Sequence, residues 1–422
     1  MPIKGILLGG KAAPLCVTGA GLVSAAGRGL AAFEDLLPAK RREDAGHFAA
    51  SVRSVVPAGG DGEPDSGRES DRAVTFAAMA SVEALRASAA TAGRLAVHVG
   101  TALGGVGAMS FASPQADQTA AGSRSGLADS AGSLEDLAID GFATRLASSI
   151  RQAAGSLEVA RPRCFSVTCV SGLCALEQAA ADIALDRADG ALVGGVDAAG
   201  QFMQAGFRAL GALSASGKCR PFDTRHDGIV IGEGAACIVV EPVRRRFARQ
   251  GAPCPQALGC ILSQRLVSDA VHLTTPDAAG RGMAAAVEGV LADAGLAPAE
   301  IGAVLVTAVG SPVYDRMLSR ALELALGGAA EEVPVTTWEV VTGHALAATG
   351  ILGIIHALVV LRRGEAHPAG VAESFQPDPE CRLRYVIDAP VRLRAPTVLL
   401  LTVGFGGQNG ATLIAAAPGV AT

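Results

Sequence analysis

The sequence predicts an α/β fold built as two similar halves. Three observations carry this. Short Val/Ile/Leu runs alternate with Ala-rich stretches, the pattern of buried strands joined by helices. Half of the 422 residues are hydrophobic and 53 are glycine, so the chain can bury a large, close-packed core but is too long for one simple one. One arrangement also occurs twice: a strand-like run, a small-residue turn with a reactive side chain, then an apolar helix. Cys169–Leu176 is the first copy and Thr342–Gly350 the second, and a glycine-bearing strand follows each, at Gly194-Gly195 and at Gly404–Gly407. The echo divides the chain near residue 255, into an N-terminal half 1–255 and a C-terminal half 256–422.

In chain order, strands are expected at Leu15–Thr18, Leu95–Val99, Gly190–Gly194, Ala235–Val240, Ala303–Val306, Arg384–Ile387 and Val398–Val403. Helices are expected at Ala73–Ala87, Leu173–Ala188, Gly282–Ala294 and Ala347–Leu361. Pro57–Ser70, rich in Gly, Asp and Pro, and Ser113–Ser133, rich in Ser, Gly and Ala, read as loops. The apolar stretch Ile351–Leu361 is broken by Gly353 and His356 and reads as too short to span a bilayer. The opening residues are too weakly apolar for a signal peptide.

Composition excludes several functions. A net charge of −5 with 4% aromatic residues gives neither an electrostatic footprint nor a stacking platform, so no nucleic-acid partner is expected. The nine cysteines are scattered, without CxxC pairs or Cys/His zinc spacing. No metal is expected, and a reduced cytoplasmic protein fits better than a disulfide framework. The runs Lys40-Arg41-Arg42 and Arg244-Arg245-Arg246 read as solvated faces, with docking of an acidic carrier protein as the other reading.

Cys169 stands at a strand-to-helix turn, where a helix N-terminus favours a thiolate and free backbone N–H groups can hold an oxyanion. On local features alone a small buried cysteine is an equal reading. Cys16, Cys164, Cys174, Cys237 and Cys260 read as packing. Of the seven histidines, His344 begins the second elbow, where nearby N–H groups would press the imidazole toward its neutral form. His98 and His356 read as core or edge residues, His272 as a loop residue, and His47, His226 and His367 as surface or loop residues.

Taken together the segments resemble the β-ketoacyl-acyl-carrier-protein synthases, the condensing enzymes of fatty-acid and polyketide assembly. Cys16–Gly27 is similar to that family's opening strand and turn, and Ser70-Asp71-Arg72 to its next signature. Thr168-Cys169-Val170-Ser171-Gly172 resembles the nucleophile elbow, with Gly194–Asp197 after it at family spacing. Arg220–Asp223, Arg225–Gly228 and Gly232–Ala235 match the block that follows, and Gly343–Gly350 and Gly404–Gly410 the last two motifs. The ordered set runs from about Leu15 to Ala415. It implies a thiolase-like, five-layered αβαβα fold of two duplicated halves, usually dimeric, paired with itself or with a related ketosynthase. It implies an acyl chain on Cys169, its oxygen held by the backbone N–H groups of Cys169 and Phe405, with Phe405 gating the acyl pocket and Met109 lining it. No resident cofactor is implied; acyl groups arrive on the phosphopantetheine of an acyl carrier protein or on CoA, and no membrane is involved.

The sequence departs from that family at the first of its two catalytic histidines. The stretch matching its His-Gly-Thr-x-Thr motif is Val309–Val313, with Val309 at the histidine position, Ser311 at the first threonine and Val313 at the second. Glu339 occupies the position of the family lysine, and Gly353 that of the lysine's acidic partner. Valine neither donates nor accepts a proton, and an ionised Glu339 would repel a malonyl carboxylate. Two function classes follow: an acyltransferase using Cys169 and His344, with decarboxylative condensation in doubt, or a non-catalytic partner subunit like the chain-length factors. The retained cysteine favours the first.

Overall fold

The computed structural model describes residues 14–24, 27–31, 69–88, 93–102, 139–155, 157–243, 257–368 and 375–417. Met109, both basic runs, Ser113–Ser133, Pro57–Ser70 except its last two residues, and the boundary near residue 255 lie outside them.

Each half uses the same strand order. In the N-terminal half, β1 (Leu15–Ser24) pairs antiparallel with β7 (Gly234–Pro242), β7 antiparallel with β6 (Gly190–Asp197), and β6 parallel with β3 (Arg94–Gly100). In the C-terminal half, β8 (Gly259–Ser268) pairs antiparallel with β15 (Gln408–Ala415), β15 antiparallel with β14 (Thr397–Gly404), and β14 parallel with β9 (Ala303–Val306). Short parallel strands extend each half, β5 (Arg163–Phe165) against β3 and β10 (Pro334–Thr336) against β9. The half-sheets join where Leu15–Val17 of β1 meets Gly259–Ile261 of β8. Helices fall at matching places: α1 (Glu69–Ala87), α2 (Ile139–Ala154) and α3 (Ser171–Ala184) in the first half, then α4 (Gln201–Ala209), and α5 (Arg281–Ala294), α6 (Pro312–Leu326) and α8 (Thr349–Arg363) in the second, with the single turn α7 (Glu339–Thr342) before α8.

The two-residue period of the strands separates the layers. On β7, Ala236, Ile238 and Val240 face a central core, whereas Ala235, Cys237 and Val239 face α1 and α2. On β14, Val398 and Leu400 face the same central core, and Leu399 and Leu401 face α5 and α6. The central core is filled by α3 and α8, so the layers run helix, sheet, helix, sheet, helix, the five-layered αβαβα order. Helix α8 is buried from Thr349 to Leu361, as a helix apolar on all sides must be. The helical run Leu346–Arg363 is in fact long and apolar enough to cross a bilayer by length and composition, which corrects the reading from Ile351–Leu361 alone; 89% of it is buried inside the protein.

Close approach between halves depends on small residues. A Cβ at Gly195 of β6 would overlap the carbonyl of Ala347 just before α8. Leu173 of α3, wholly buried, fills the space left by Gly350 and Gly410, where a Cβ would come within 2.7 Å of its side chain. Leu173→Ala should therefore lower the unfolding free energy by about 2–5 kcal/mol, the range for a large-to-small core change; denaturant titration measures it.

Candidate active site

The two elbow turns meet across the central layer. Cys169 lies two residues before α3, and Thr168 beside it takes a left-handed φ of 50°, unusual for a residue with a branched Cβ. Ser171 holds the turn: its hydroxyl accepts from Val167 N–H at 2.8 Å and donates to the Thr168 carbonyl. His344 lies in the other half, before a short 3-10 turn, Leu346–Ala348, that leads into α8. Leu346 is also left-handed, φ 53°. The N-terminal half anchors His344 by its backbone: His344 N–H donates to Val230 O at 2.8 Å, and Gly232 N–H donates to His344 O at 2.9 Å.

This brings His344 Nε2 to 3.0 Å from Cys169 Sγ. His344 Nδ1 is 2.7 Å from Glu339 Oε1. The three side chains form one buried line, with Cys169 5% exposed, His344 4% and Glu339 0%. The single turn α7 sets the spacing. Gly343 N–H donates to Glu339 O at 2.8 Å, so His344 begins one helical turn after Glu339, and Gly343, at φ 65°, turns the chain toward Cys169.

The electrostatics follow. Burial alone would lower the His344 pKa. The charges at Cys169 and Glu339, and the hydrogen bonds to both, outweigh it and hold His344 well above the ordinary histidine value. This corrects the expectation of a neutral imidazole: both ring nitrogens of His344 face acidic side chains, Glu339 and Cys169. For Glu339, burial pushes the carboxyl upward, His344 opposes that shift, and nearby Asp315 adds to it. Glu339 is thus tied to the histidine, a partner the expected repulsion of a malonyl group did not include.

Phe405 follows the end of β14 against the elbow. A Cβ on Gly404 would overlap the Thr168 hydroxyl and lie 3.4 Å from Cys169 N, so glycine lets the backbone before Phe405 reach the nucleophile turn. The Phe405 ring is half-buried and stacks between Phe207 of α4, centroids 5.0 Å apart, and Tyr314 of α6, 6.1 Å apart. Burial raises the Tyr314 pKa, and its hydroxyl donates to Thr274 O at 2.7 Å. Asn409 and Asp269 brace the Phe405 loop: Asn409 Nδ2 donates to Asp269 Oδ1 at 2.7 Å and to Gly407 O at 3.1 Å.

Val309, 3% exposed, packs in the apolar cluster that includes Cys169. Gly353 lies against Trp338, where a Cβ would come within 2.6 Å of the indole ring. The space beside Gly353 is thus filled by the buried side chains of Trp338 and Leu400. Sequence reading missed the role of Asp197, the last residue of the Gly194–Asp197 motif. Its carboxylate accepts from Thr101 Oγ1 at 2.9 Å, from Ala102 N–H, and from Ala347 N–H at 2.9 Å, so it ties β3 and β6 to the turn after His344. Phe207 and Tyr314 carried no sequence signal beyond their aromatic character.

Two histidines read as surface or loop residues lie in loop segments but are buried. His226, 8% exposed, sits between Asp315 Oδ2 at 3.0 Å and Asp378 Oδ2 at 3.3 Å. His367 is wholly buried, and its ring stacks 6.5 Å from that of His356 in α8, whose pKa burial pushes down to about 3. His272 stays in an exposed loop and accepts from Thr274 and Thr275 N–H. Cys174 and Cys164 are half-buried rather than core residues.

Comparison with known proteins places this geometry. The model of the β-ketoacyl synthase N-terminal domain matches residues 31–245, and that of the C-terminal domain residues 258–371. The chain is 32% identical over 252 residues to 3-oxoacyl-[acyl-carrier-protein] synthase 2 of Coxiella burnetii, a match spanning 58% of this chain and 59% of that protein. It is 31% identical over 421 residues to the tetracenomycin polyketide synthase ketoacyl synthase alpha subunit of Streptomyces glaucescens, covering 94% of this chain and 96% of that one. Among solved structures, the ishigamide ketosynthase/chain length factor superposes with a TM-score of 0.76 at 22% identity, over 96% of this chain and 100% of that chain. A type II polyketide synthase acyl-carrier protein in complex with its ketosynthase bound to the hexaketide gives 0.74 at 22% identity, with the same coverage. These likenesses show the thiolase-like fold; the sequence matches show that the chain belongs to the β-ketoacyl synthase family.

Proposed function

We propose that the protein is an acyltransferase of fatty-acid or polyketide assembly that carries an acyl chain on Cys169, with His344 managing the proton, and that it is poor at decarboxylative condensation. The observation that carries this is the 3.0 Å contact between His344 Nε2 and Cys169 Sγ, made across the two halves. Acyl transfer needs a nucleophile, a base and an oxyanion site. Cys169, His344 and the backbone N–H groups of Cys169 and Phe405 supply them. Condensation asks for more, because the enolate left by malonyl decarboxylation needs donors aimed at its oxygen. Val309 offers none.

The acyl group would arrive as a thioester on the phosphopantetheine of an acyl carrier protein or on CoA, without a resident cofactor, and pass Phe405 between Phe207 and Tyr314. The protein would act as a dimer, with itself or with a related ketosynthase. The chain-length-factor reading is disfavoured, since a subunit without chemistry has no need of an aligned cysteine and histidine. Intact-mass analysis after incubation with acyl-carrier-protein thioesters tests the proposal. One acyl adduct mapping to Cys169 is expected; adducts mapping to Cys174 or another cysteine would overturn it.

A further inference from the structure

We infer that Glu339 fixes His344 as a general base, so that the acyl group leaves Cys169 for a protic heteroatom nucleophile, X–H with X oxygen, nitrogen or sulfur, rather than for a carbanion. The inference rests on the acyl-Cys169 reading and adds the class of acceptor.

The geometry gives the reason. An ionised carboxylate only accepts hydrogen bonds, so Glu339 Oε1, 2.7 Å from Nδ1, places a proton on Nδ1. A neutral His344 then has a bare Nε2, the nitrogen that faces Cys169 Sγ. Such a ring takes protons from that direction. For the neutral ring left after loading, stabilising an enolate there requires the opposite tautomer, with hydrogen on Nε2 and a lone pair on Nδ1. That lone pair would face Oε1 at a position with no solvent access, an unpaired contact of the kind that costs most when buried. Position 309, which would supply the other donor, holds valine. The other ionisable groups acting on Glu339 are Asp315 of α6 and Cys219; neither is cationic, so neither offers the carboxylate a competing charged donor.

The steps balance without a further reagent. In loading, the Cys169 thiolate attacks the donor thioester. The Sγ–C bond forms, the donor C–S bond breaks, and the departing thiolate takes the proton from His344 Nε2. In unloading, X attacks the acyl carbon while Nε2 removes its proton. The X–C bond forms, the Sγ–C bond breaks, and its electron pair returns to Sγ beside the imidazolium. Glu339 touches no reacting atom and is a positioning residue. Its spacing from His344, one helical turn, makes that position part of the choice between acyl transfer and condensation.

The test uses the full-length protein and two readouts. The first is ¹⁵N NMR of histidine-labelled Cys169→Ala protein, in which His344 can be observed neutral. Hydrogen on Nδ1 is expected, and hydrogen on Nε2 overturns the proposal. The second is discharge of preloaded acyl-Cys169, followed by intact mass against pH, with water, N-acetylcysteamine and ethanolamine as acceptors. Discharge should rise with pH as His344 loses its proton, at least one acceptor should outpace water, and Glu339→Gln should slow discharge on the order of 10²-fold, the scale of lost general-base catalysis. Glu339→Asp should recover part of that rate. An adduct that forms but discharges equally fast in Glu339→Gln overturns this proposal alone, whereas an adduct that never forms overturns the acyl-Cys169 reading with it. The tautomer measurement keeps the native Glu339 and stands even if Glu339→Gln fails to fold.

Discussion

Cys169→Ala should abolish the acyl adduct, and His344→Ala should slow its formation by about 10²–10⁴-fold, the usual contribution of a positioned acid or base. The two effects differ in kind. Cys169 carries the atom that bonds, and Cys174 in α3 is no substitute: its thiol is pushed up by burial and by Glu177. His344 sets the charge state of the pair. Against the lowering effect of burial, Cys169 on one side and Glu339 on the other raise its pKa, and it gives its proton to the departing thiolate. Without it the thiol has no adjacent base and the leaving group has no acid. Time-resolved intact mass reads both effects. An adduct at wild-type rate in His344→Ala would remove His344 from the chemistry.

The second large effect is a gain. Val309→His alone should raise malonyl decarboxylation by less than about tenfold, while Val309→His with Glu339→Gln should raise it by roughly 10²–10³, the worth of an enolate donor. A histidine at 309 supplies one donor, but once Cys169 is acylated and His344 has given up its Nε2 proton, Glu339 still holds the remaining hydrogen on Nδ1. A glutamine amide can donate to Nδ1 and so shift that hydrogen to Nε2. Lysine, the residue the family resemblance suggests for position 339, is the poorer choice here. It would place a second cation beside His344 at a fully buried site, and the acidic partner's place at Gly353 lies under Trp338. A double-mutant cycle measures the coupling, which should favour the pair over the sum of the single changes. Simple additivity would show that Glu339 does not control the tautomer.

Much of the fold was legible because periodicity records burial. The strand Ala303–Val306 matches its expected bounds, and the helices Gly282–Ala294 and Ala73–Ala87 differ only at their starts. The helix expected to reach Ala188 ends at Ala184, where Asp186 turns left-handed at φ 54°. Strand β8 and its partner β15 were missed because their buried positions include Ser263, Gln264, Asn409 and Thr412, which disguise the alternation. Gln264 is buried there for a reason no local pattern shows: its amide donates to Leu173 O at 2.8 Å. Helix α6 was missed in the same way, since its buried face carries Asp315 and Ser319.

The candidate site was legible in its residues more than in its bonds. Cys169, His344 and Phe405 stand at small-residue turns that the sequence displays, and the structure brings those turns together. The Glu339–His344 bond was not within reach of spacing, because residues five apart do not face each other on a helix; the contact depends on Gly343 ending the turn at φ 65°. Reading Glu339 against an absent malonyl group obscured its nearer neighbour. His226 was out of reach, since its polar surroundings in sequence give no hint of Asp315 and Asp378, 89 and 152 residues away.

The most direct test of the account follows carbon dioxide and the acyl adduct in one sample, as acyl-loaded wild-type protein meets malonyl-carrier protein. The account predicts that the adduct on Cys169 survives the malonyl group and that no appreciable carbon dioxide is released. Release on the order of 1 s⁻¹ or faster, a rate ordinary for enzymes, would contradict it and require another group to do the work missing at Val309.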